Sequence, residues 1–212
     1  MKTLIILISG RGSNMRALLE ARLPVDRIIV ISNNPAAEGL KTAATKGAQT
    51  ICINHHAFSD RTAFDSALAD EIDRYQPDLI ALAGFMRILT DDFVLRYHRR
   101  LMNIHPSLLP AFPGLHTHKR ALGDGVKIHG CTVHFVTPKL DHGPIVIQAA
   151  VPIFPNDTEK ALAERVLKQE HRIYPQAVRW FLQGRVRLTE DTVTITDTCV
   201  HDSVIYSPGL QE

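Results

Sequence analysis

TLIILIS (residues 3–9), GRGSN (10–14) and MRALLEA (15–21) follow one another near the beginning of the sequence and indicate its architecture. The first run is apolar and rich in β-branched residues, which predicts a buried strand. The second has two glycines and predicts a tight loop, and the third consists of helix-forming residues. A strand, a tight loop and a helix in this order form the repeating unit of a parallel α/β sheet.

The same alternation continues through the first half of the chain. Further strands are predicted at 27–31, 49–53 and 79–83, and helices at 38–46 and 60–75. Strands that are apolar on both faces and separated by helices imply right-handed crossovers and a sheet covered on both sides. We therefore expect an α/β fold with one doubly wound, mostly parallel sheet and helices on both faces. Its first half, residues 1–100, would be Rossmann-like.

The pattern is less regular after Gly84. We predict a short helix at 92–97, strands at 101–105, 128–136 and 145–151, a long helix at 158–181, and a weak hairpin that pairs 186–188 with 193–195. Asp157 is expected near the cap of the long helix, and Pro175 is expected to kink or restart it. Because no linker or repeat interrupts the pattern, the sequence predicts one domain over residues 1–212. No role is assigned to the tail at 186–212.

The overall charge is nearly balanced. Lys and Arg total 24 against 22 Asp and Glu, so the net charge of +2 gives no broad field for a nucleic-acid backbone or an anionic membrane. The apolar run from Leu4 to Ile8 is too short for a signal peptide, and no stretch approaches the roughly 20 apolar residues that span a bilayer. These features predict a soluble, cytoplasmic protein. Cys52, Cys131 and Cys199 form no CxxC pair, which favours reduced, mostly buried thiols.

The loop from Gly10 to Asn14 is a candidate phosphate site. In a parallel sheet it would lie at the carboxyl edge, where a helix N-terminus presents free backbone amides to a ligand. Glycine lets the backbone approach closely, while Ser13 and Asn14 add side-chain donors and could cap the helix. A dinucleotide fingerprint fits poorly, because Met15 occupies the third glycine position, and no Walker motif follows. We expect a phosphate monoester here, with a tight turn that binds nothing as the alternative.

Three residues in the second half suit acyl transfer. Asn103 and His105 are two apart on a predicted strand and therefore project from the same face. Asp141 lies in a glycine-containing turn, from which its carboxylate could orient the imidazole or favour its protonated form. An amide donor, an imidazole and a carboxylate can stabilise a developing oxyanion and move a proton. No serine or cysteine stands in a nucleophile motif such as GxSxG, so we expect direct transfer between two bound substrates.

Other interpretations of these residues stay open. The chain has eleven histidines, and His105 could be a surface or core residue, with Asn103 a strand-edge partner and Asp141 a turn cap. A metal site could take its ligands from His105, Asp141, His116 and His118. Against a metal, the last two histidines stand where a helix is expected to begin, and residues i and i+2 of a helix do not share a face.

Several motifs together resemble a known family. They are SGRGSN at 9–14, GFMRIL at 84–89, NIHPSLLP at 103–110 and the Leu140-Asp141-x-Gly143 turn. Up to about residue 185 the chain resembles the phosphoribosylglycinamide formyltransferases of purine biosynthesis, and PGLHTH at 113–118 and QEH at 169–171 indicate this acceptor. The resemblance implies a metal-free enzyme of the formyltransferase fold that moves the formyl group of 10-formyltetrahydrofolate onto the amine of 5-phosphoribosylglycinamide. Pro138 departs from the acidic or medium-sized residue that the family often has before the turn.

The resemblance also implies a role for each candidate residue. The ribonucleotide would be held by Gly12, Ser13, Asn14 and Glu170, the last of these at the ribose hydroxyls. The folate would be held by Arg61, Met86, Arg87, Ile88, Leu89 and Asn103, with Arg61 at its glutamate tail. The catalytic residues would be Asn103, His105 and Asp141. Residues 1–100 would thus form the phosphate-binding half and residues 101–185 the catalytic and folate-binding half.

Related functions agree less well with the sequence. Methionyl-tRNA formyltransferase carries a further carboxy-terminal nucleic-acid-binding domain, and the weak net charge argues against a tRNA partner. Formyltetrahydrofolate deformylase normally has an extra amino-terminal domain, whereas this sequence starts directly with the first strand. A non-catalytic phosphosugar-binding module would keep the loop and show no turnover. The expected partners are small-molecule substrates, with the chain as a monomer or a homodimer.

Overall fold

Seven strands form the central sheet of the structure, a computed structural model that describes residues 1–189, 191–197 and 207. The strands are β1 (Thr3–Ile8), β2 (Arg27–Ser32), β3 (Gln49–Cys52), β4 (Leu79–Leu82), β5 (Leu101–His105), β6 (Ile128–Phe135) and β7 (Ile145–Pro152). Their spatial order is β3-β2-β1-β4-β5-β6-β7. Strands β1 to β5 run parallel to one another. Strand β6 pairs antiparallel with β5, and β7 pairs antiparallel with β6. The prediction of a doubly wound, mostly parallel sheet is therefore confirmed.

Helices connect the strands and cover both faces of the sheet. They are α1 (Ser13–Glu20), α2 (Glu38–Thr45), α3 (Arg61–Asp73), α4 (Asp91–Arg96), α5 (Thr117–Gly123) and α6 (Glu159–Leu182), with a 3-10 turn at His55–Ala57. A separate hairpin of β8 (Val186–Thr189) and β9 (Thr192–Ile195) pairs as predicted. The elements predicted from the sequence thus occur, with their ends displaced by one or two residues.

The core consists of two apolar layers on opposite faces of the sheet. Successive residues of a strand project to opposite sides. In β1, Leu4 and Ile6 pack with α1 and α6, while Ile5 and Leu7 pack with α3 and α4. All four side chains are fully buried, and burying each contributes about 1.5–3 kcal/mol. Because both faces of β1 are covered, its sequence shows no alternation of apolar and polar residues.

The strand order creates a crevice between β1 and β4. From β1 the chain passes to β2 and β3 on one side and then to β4 on the other. The loops after β1 and β4 therefore diverge, and in open α/β sheets ligands bind at this switch point. The backbone N–H of Ser9 donates to the carbonyl of Gly84 over 3.1 Å and ties the two loops together at their base. The end of β5 opens onto the same edge.

Helix α6 begins beside Asp157, as predicted, and does not restart at Pro175. Its N-cap is Thr158, whose hydroxyl accepts from the backbone N–H of Ala161 at 3.1 Å. Asp157 instead forms an ion pair with Arg165 at 2.7 Å. The helix also continues through Pro175 without restarting. Proline removes one hydrogen bond from the ladder, but its ring is buried and the helix packs along the sheet on either side, so tertiary contacts outweigh the local break.

The cysteines differ in burial. Cys131 is buried in β6, where burial raises the pKa of its thiol to about 12. Cys52 is exposed, contrary to the prediction of mostly buried thiols, because it ends the edge strand β3. Cys199 lies outside the described residues.

Among the helices described, none is long and apolar enough to cross a membrane.

Candidate active site

The loop after β1 forms one wall of a pocket of about 530 Å³. Gly12 is the N-cap of α1 and has a φ of 72°, in the left-handed region that favours glycine. A Cβ at this position would lie 2.7 Å from Cε of Met15 and 3.2 Å from Cα of Gly39. No side chain caps the helix, so the expectation that Ser13 or Asn14 could do so is wrong. The first amides of α1 are therefore left free for a ligand.

Asn14 instead makes a buried hydrogen bond to Glu170 of helix α6. Its Nδ2 donates to Oε2 of Glu170 over 2.6 Å. Glu170 is only 7% exposed, and its burial raises the pKa of its carboxyl, which this hydrogen bond partly opposes. A helical glutamate would ordinarily be interpreted as solvated. Here it presents an acceptor beside the loop after β1, a position suited to binding hydroxyl groups.

The loop after β4 supplies an apolar wall to the crevice. Met86 and Ile88 are 69% and 63% exposed, whereas Leu89 is buried in the core layer that includes α3. The guanidinium of Arg87 lies over the ring of Phe64 at 5.1 Å. Exposed apolar side chains next to a crevice indicate a binding surface. Of the four residues predicted here, Met86 and Ile88 are exposed, Arg87 lies over Phe64, and Leu89 belongs to the core.

Arg61 begins α3 and is exposed to solvent. Asp65, one turn further along this helix, accepts from the backbone N–H of Thr90 at 2.6 Å. This bond holds the start of α3 beside the end of the loop after β4. No ion pair to Arg61 occurs in the described part of the chain, so its guanidinium is open to an anionic ligand.

Asn103, His105 and Asp141 come together at the end of β5. The distance from Nδ1 of His105 to Oδ2 of Asp141 is 3.5 Å, that of an ion pair and longer than a normal hydrogen bond. Asp141 has a φ of 50°, and its Oδ2 accepts from the backbone N–H of Gly114 at 2.8 Å. A non-glycine residue held in the left-handed region is often found at functional sites. The turn therefore directs this carboxylate at the imidazole.

Both ring nitrogens of His105 face oxygen atoms. Its Nε2 lies 3.1 Å from the carbonyl oxygen of Phe112, while Nδ1 faces the carboxylate of Asp141 at 3.5 Å. Both partners can only accept hydrogen bonds, so the ring is held between two acceptors in one orientation.

His134, which the sequence analysis did not identify, belongs to the same cluster. It lies directly opposite Asn103 in the pairing of β5 with β6. Its Nε2 is 3.2 Å from Nδ2 of Asn103 and 3.9 Å from Oδ1 of Asp141. Burial lowers the pKa of its imidazole to about 4. Only the register of the antiparallel strands could have revealed this neighbour.

Two of the histidines considered as metal ligands, His116 and His118, lie at the start of α5. His116 is the N-cap residue of α5, and Nδ1 of His118 lies 3.2 Å from Nε2 of His129. Burial lowers the pKa of both His118 and His129, the latter to about 4. Within residues 1–189, 191–197 and 207, no group of three or more His, Cys, Asp and Glu side chains could hold a metal ion.

Known proteins resemble the chain in sequence and in structure. Residues 2–178 match the formyl transferase family. The phosphoribosylglycinamide formyltransferase of Escherichia coli (strain K12) is 47% identical over 89% of this chain and 91% of its own length. The trifunctional purine biosynthetic protein adenosine-3 of Homo sapiens is 45% identical over 88% of this chain, which is 19% of that protein.

A solved structure agrees with these relatives. Glycinamide ribonucleotide transformylase 1 from Symbiobacterium toebii is 46% identical and superposes with a TM-score of 0.89, covering 93% of this chain and 95% of its own. All of the candidate site residues lie within the segment that matches the family.

Proposed function

The chain belongs to the formyl transferase family, and we infer from this that it is a phosphoribosylglycinamide formyltransferase. It transfers the formyl group of 10-formyltetrahydrofolate to the amine of 5-phosphoribosylglycinamide. The products are phosphoribosyl-N-formylglycinamide and tetrahydrofolate, in the cytoplasmic synthesis of the purine IMP. One observation carries the proposal: Asn103, His105 and Asp141 converge at the edge of the sheet that also carries the phosphate loop.

The ribonucleotide occupies the pocket beside α1. Its phosphate is bound by Gly12, Ser13 and Asn14, because the free amides at a helix N-terminus and its dipole favour an anion. The ribose hydroxyls donate to Glu170, whose carboxylate is already oriented by Asn14. These contacts direct the glycinamide amine toward the end of β5.

The folate lies across the loop after β4. Its pterin packs against the loop of Met86, Arg87, Ile88 and Leu89, where Met86 and Ile88 supply the exposed apolar contacts, and its glutamate tail reaches Arg61. The formyl group then lies next to Asn103, so the donor and the acceptor amine meet at one point. Bringing two reactants together in this way supplies much of the rate acceleration, since it replaces a diffusional encounter by a bound one.

The reaction is a direct attack of the amine on the formyl carbon. The carbonyl oxygen gains negative charge in the tetrahedral intermediate, where an N–H of Asn103 donates to it and the imidazolium of His105 stabilises it by charge. Asp141 keeps that imidazole charged and oriented. The amine loses a proton, which reaches the departing folate nitrogen through a water molecule, and the C–N bond to the folate breaks.

Turnover measured with purified protein tests this proposal. We expect release of tetrahydrofolate only when both substrates are present, and no effect of a chelator. Release of tetrahydrofolate and formate without the acceptor would instead indicate a hydrolase, and a loss of rate with the chelator would indicate a metalloenzyme. No release under any condition would leave only a binding module and would overturn the proposal.

Gly12→Val tests the phosphate site. The valine needs an unfavourable backbone conformation and would contact Met15 and Gly39, so the loop should move and lose at least one charge-assisted hydrogen bond to the phosphate. We expect the Kd for the ribonucleotide to rise roughly tenfold or more, with a much smaller change for the folate. Calorimetry with each substrate measures both. The control is Gly10→Ala, because a Cβ there meets no atom of the described residues within 4 Å. Equal losses for the two ligands in Gly12→Val would make the loop structural.

Arg61→Ala tests the folate tail. A contact remote from the reacting atoms binds the ground state and the transition state alike. We therefore expect the KM for 10-formyltetrahydrofolate to rise roughly tenfold while kcat changes little. Arg74→Ala is the matched control, since it removes an arginine that pairs with Glu71 at the other end of α3. A selective loss of ribonucleotide affinity would assign Arg61 to the other substrate.

A further inference from the structure

We propose that His134 is a positioning residue for formyl transfer, in which its Nε2 accepts one N–H of Asn103 and thereby directs the other N–H at the formyl oxygen. The proposal rests on the proposed function, because it explains how Asn103 is oriented for that reaction. His134 itself is 2% exposed, so a bound substrate has almost no access to its ring. Its effect on the reaction passes through Asn103.

The backbone fixes the tautomer of His134. Its Nδ1 lies 2.9 Å from the carbonyl oxygen of Phe135, which can only accept a hydrogen bond. The proton of the neutral ring is therefore on Nδ1, and Nε2 carries a lone pair. That lone pair is the atom that faces Asn103.

The lone pair then selects one orientation of the Asn103 carboxamide. Nε2 of His134 is 3.2 Å from Nδ2, so an N–H donates to it. If the amide turned by half a rotation, Oδ1 would face the lone pair and two acceptors would oppose each other. Asn103 is only half-buried, so its remaining N–H is accessible to a bound formyl group.

Because His134 is neutral, it does not compete with His105 for the carboxylate of Asp141. Oδ1 of Asp141 lies 3.9 Å from Nε2 of His134, while Oδ2 faces His105 at 3.5 Å. A protonated His134 would compete for this carboxylate and could no longer accept from Asn103. The depth of the site prevents this, since burial lowers the pKa of His134 to about 4. Asn103 and His105 thus act on the same formyl oxygen, and each is oriented by a different residue: Asn103 by His134 and His105 by Asp141.

A pair of variants tests the proposal by kinetics. His134→Leu removes the acceptor, whereas His134→Gln offers the amide oxygen in its place. We expect His134→Leu to lower kcat roughly 10- to 100-fold with little change in either KM, because a loosened donor still permits binding. His134→Gln should recover most of that loss. Equal losses in the two variants, or an unchanged kcat in His134→Leu, would contradict the proposal.

Nitrogen NMR tests the same contact without turnover, and so without dependence on the identity of the acceptor substrate. In the wild-type protein we expect His134 to be protonated on Nδ1 alone at pH 7. The two Nδ2 protons of Asn103, assigned by their absence in Asn103→Ala, should have widely separated shifts that converge in His134→Leu. A proton on Nε2 of His134 would overturn the proposal even if His134→Leu failed to fold.

Discussion

Asn103→Ala should lower kcat by roughly 100- to 1000-fold, the usual cost of removing one preorganised donor to an oxyanion. The loss should be mainly in kcat, because the donor gains its full strength only when the formyl oxygen becomes negative. Alanine also leaves Nε2 of His134 without its partner. Steady-state kinetics with both substrates, together with the Kd of each by calorimetry, separate the rate from binding.

A remote asparagine provides the control for this substitution. Asn54 accepts from the backbone N–H of His56 at 3.1 Å, in a 3-10 turn after β3. We expect Asn54→Ala to keep nearly the wild-type kcat. If Asn103→Ala also kept more than about a tenth of the rate, Asn103 would not be an oxyanion donor, since removing one such donor costs roughly 100- to 1000-fold.

The sequence predicted the sheet well because its signals are local. A strand that is apolar on both faces, as β1 is, can only lie inside a covered parallel sheet. Each tight loop and helix that follows repeats the same unit. The errors had two causes: packing carried α6 through Pro175 without a restart, and the left-handed backbone at Gly12 left α1 without a side-chain cap.

The site was predictable only in part. Asn103 and His105 share a face because strand residues two apart do so whatever the fold. Glu170 could not be found in this way, since its burial depends on how α6 packs against α1. His134 lies 31 residues from Asn103 and becomes its neighbour through the register of β5 and β6. Local patterns contain no information about that pairing.

The contacts of Asp141 allow its charge to be tested apart from its shape. Asparagine tolerates a left-handed φ about as well as aspartate does, so the turn at φ 50° should persist. The oxygen of an asparagine can still accept from the backbone N–H of Gly114. What it cannot do is balance the charge of an imidazolium at His105.

Asp141→Asn should therefore fold, bind both substrates and lose on the order of 100-fold or more in kcat. Without the carboxylate, Nδ1 of His105 no longer faces a negative charge at 3.5 Å, so the charge that develops in the transition state is stabilised less. Steady-state kinetics measure the rate, and the NMR signal of the Gly114 amide, which donates to residue 141, measures whether the turn has moved. A slow variant in which that signal shows a lost hydrogen bond would show that the loss comes from a displaced turn, and Asp141 would then have no electrostatic role.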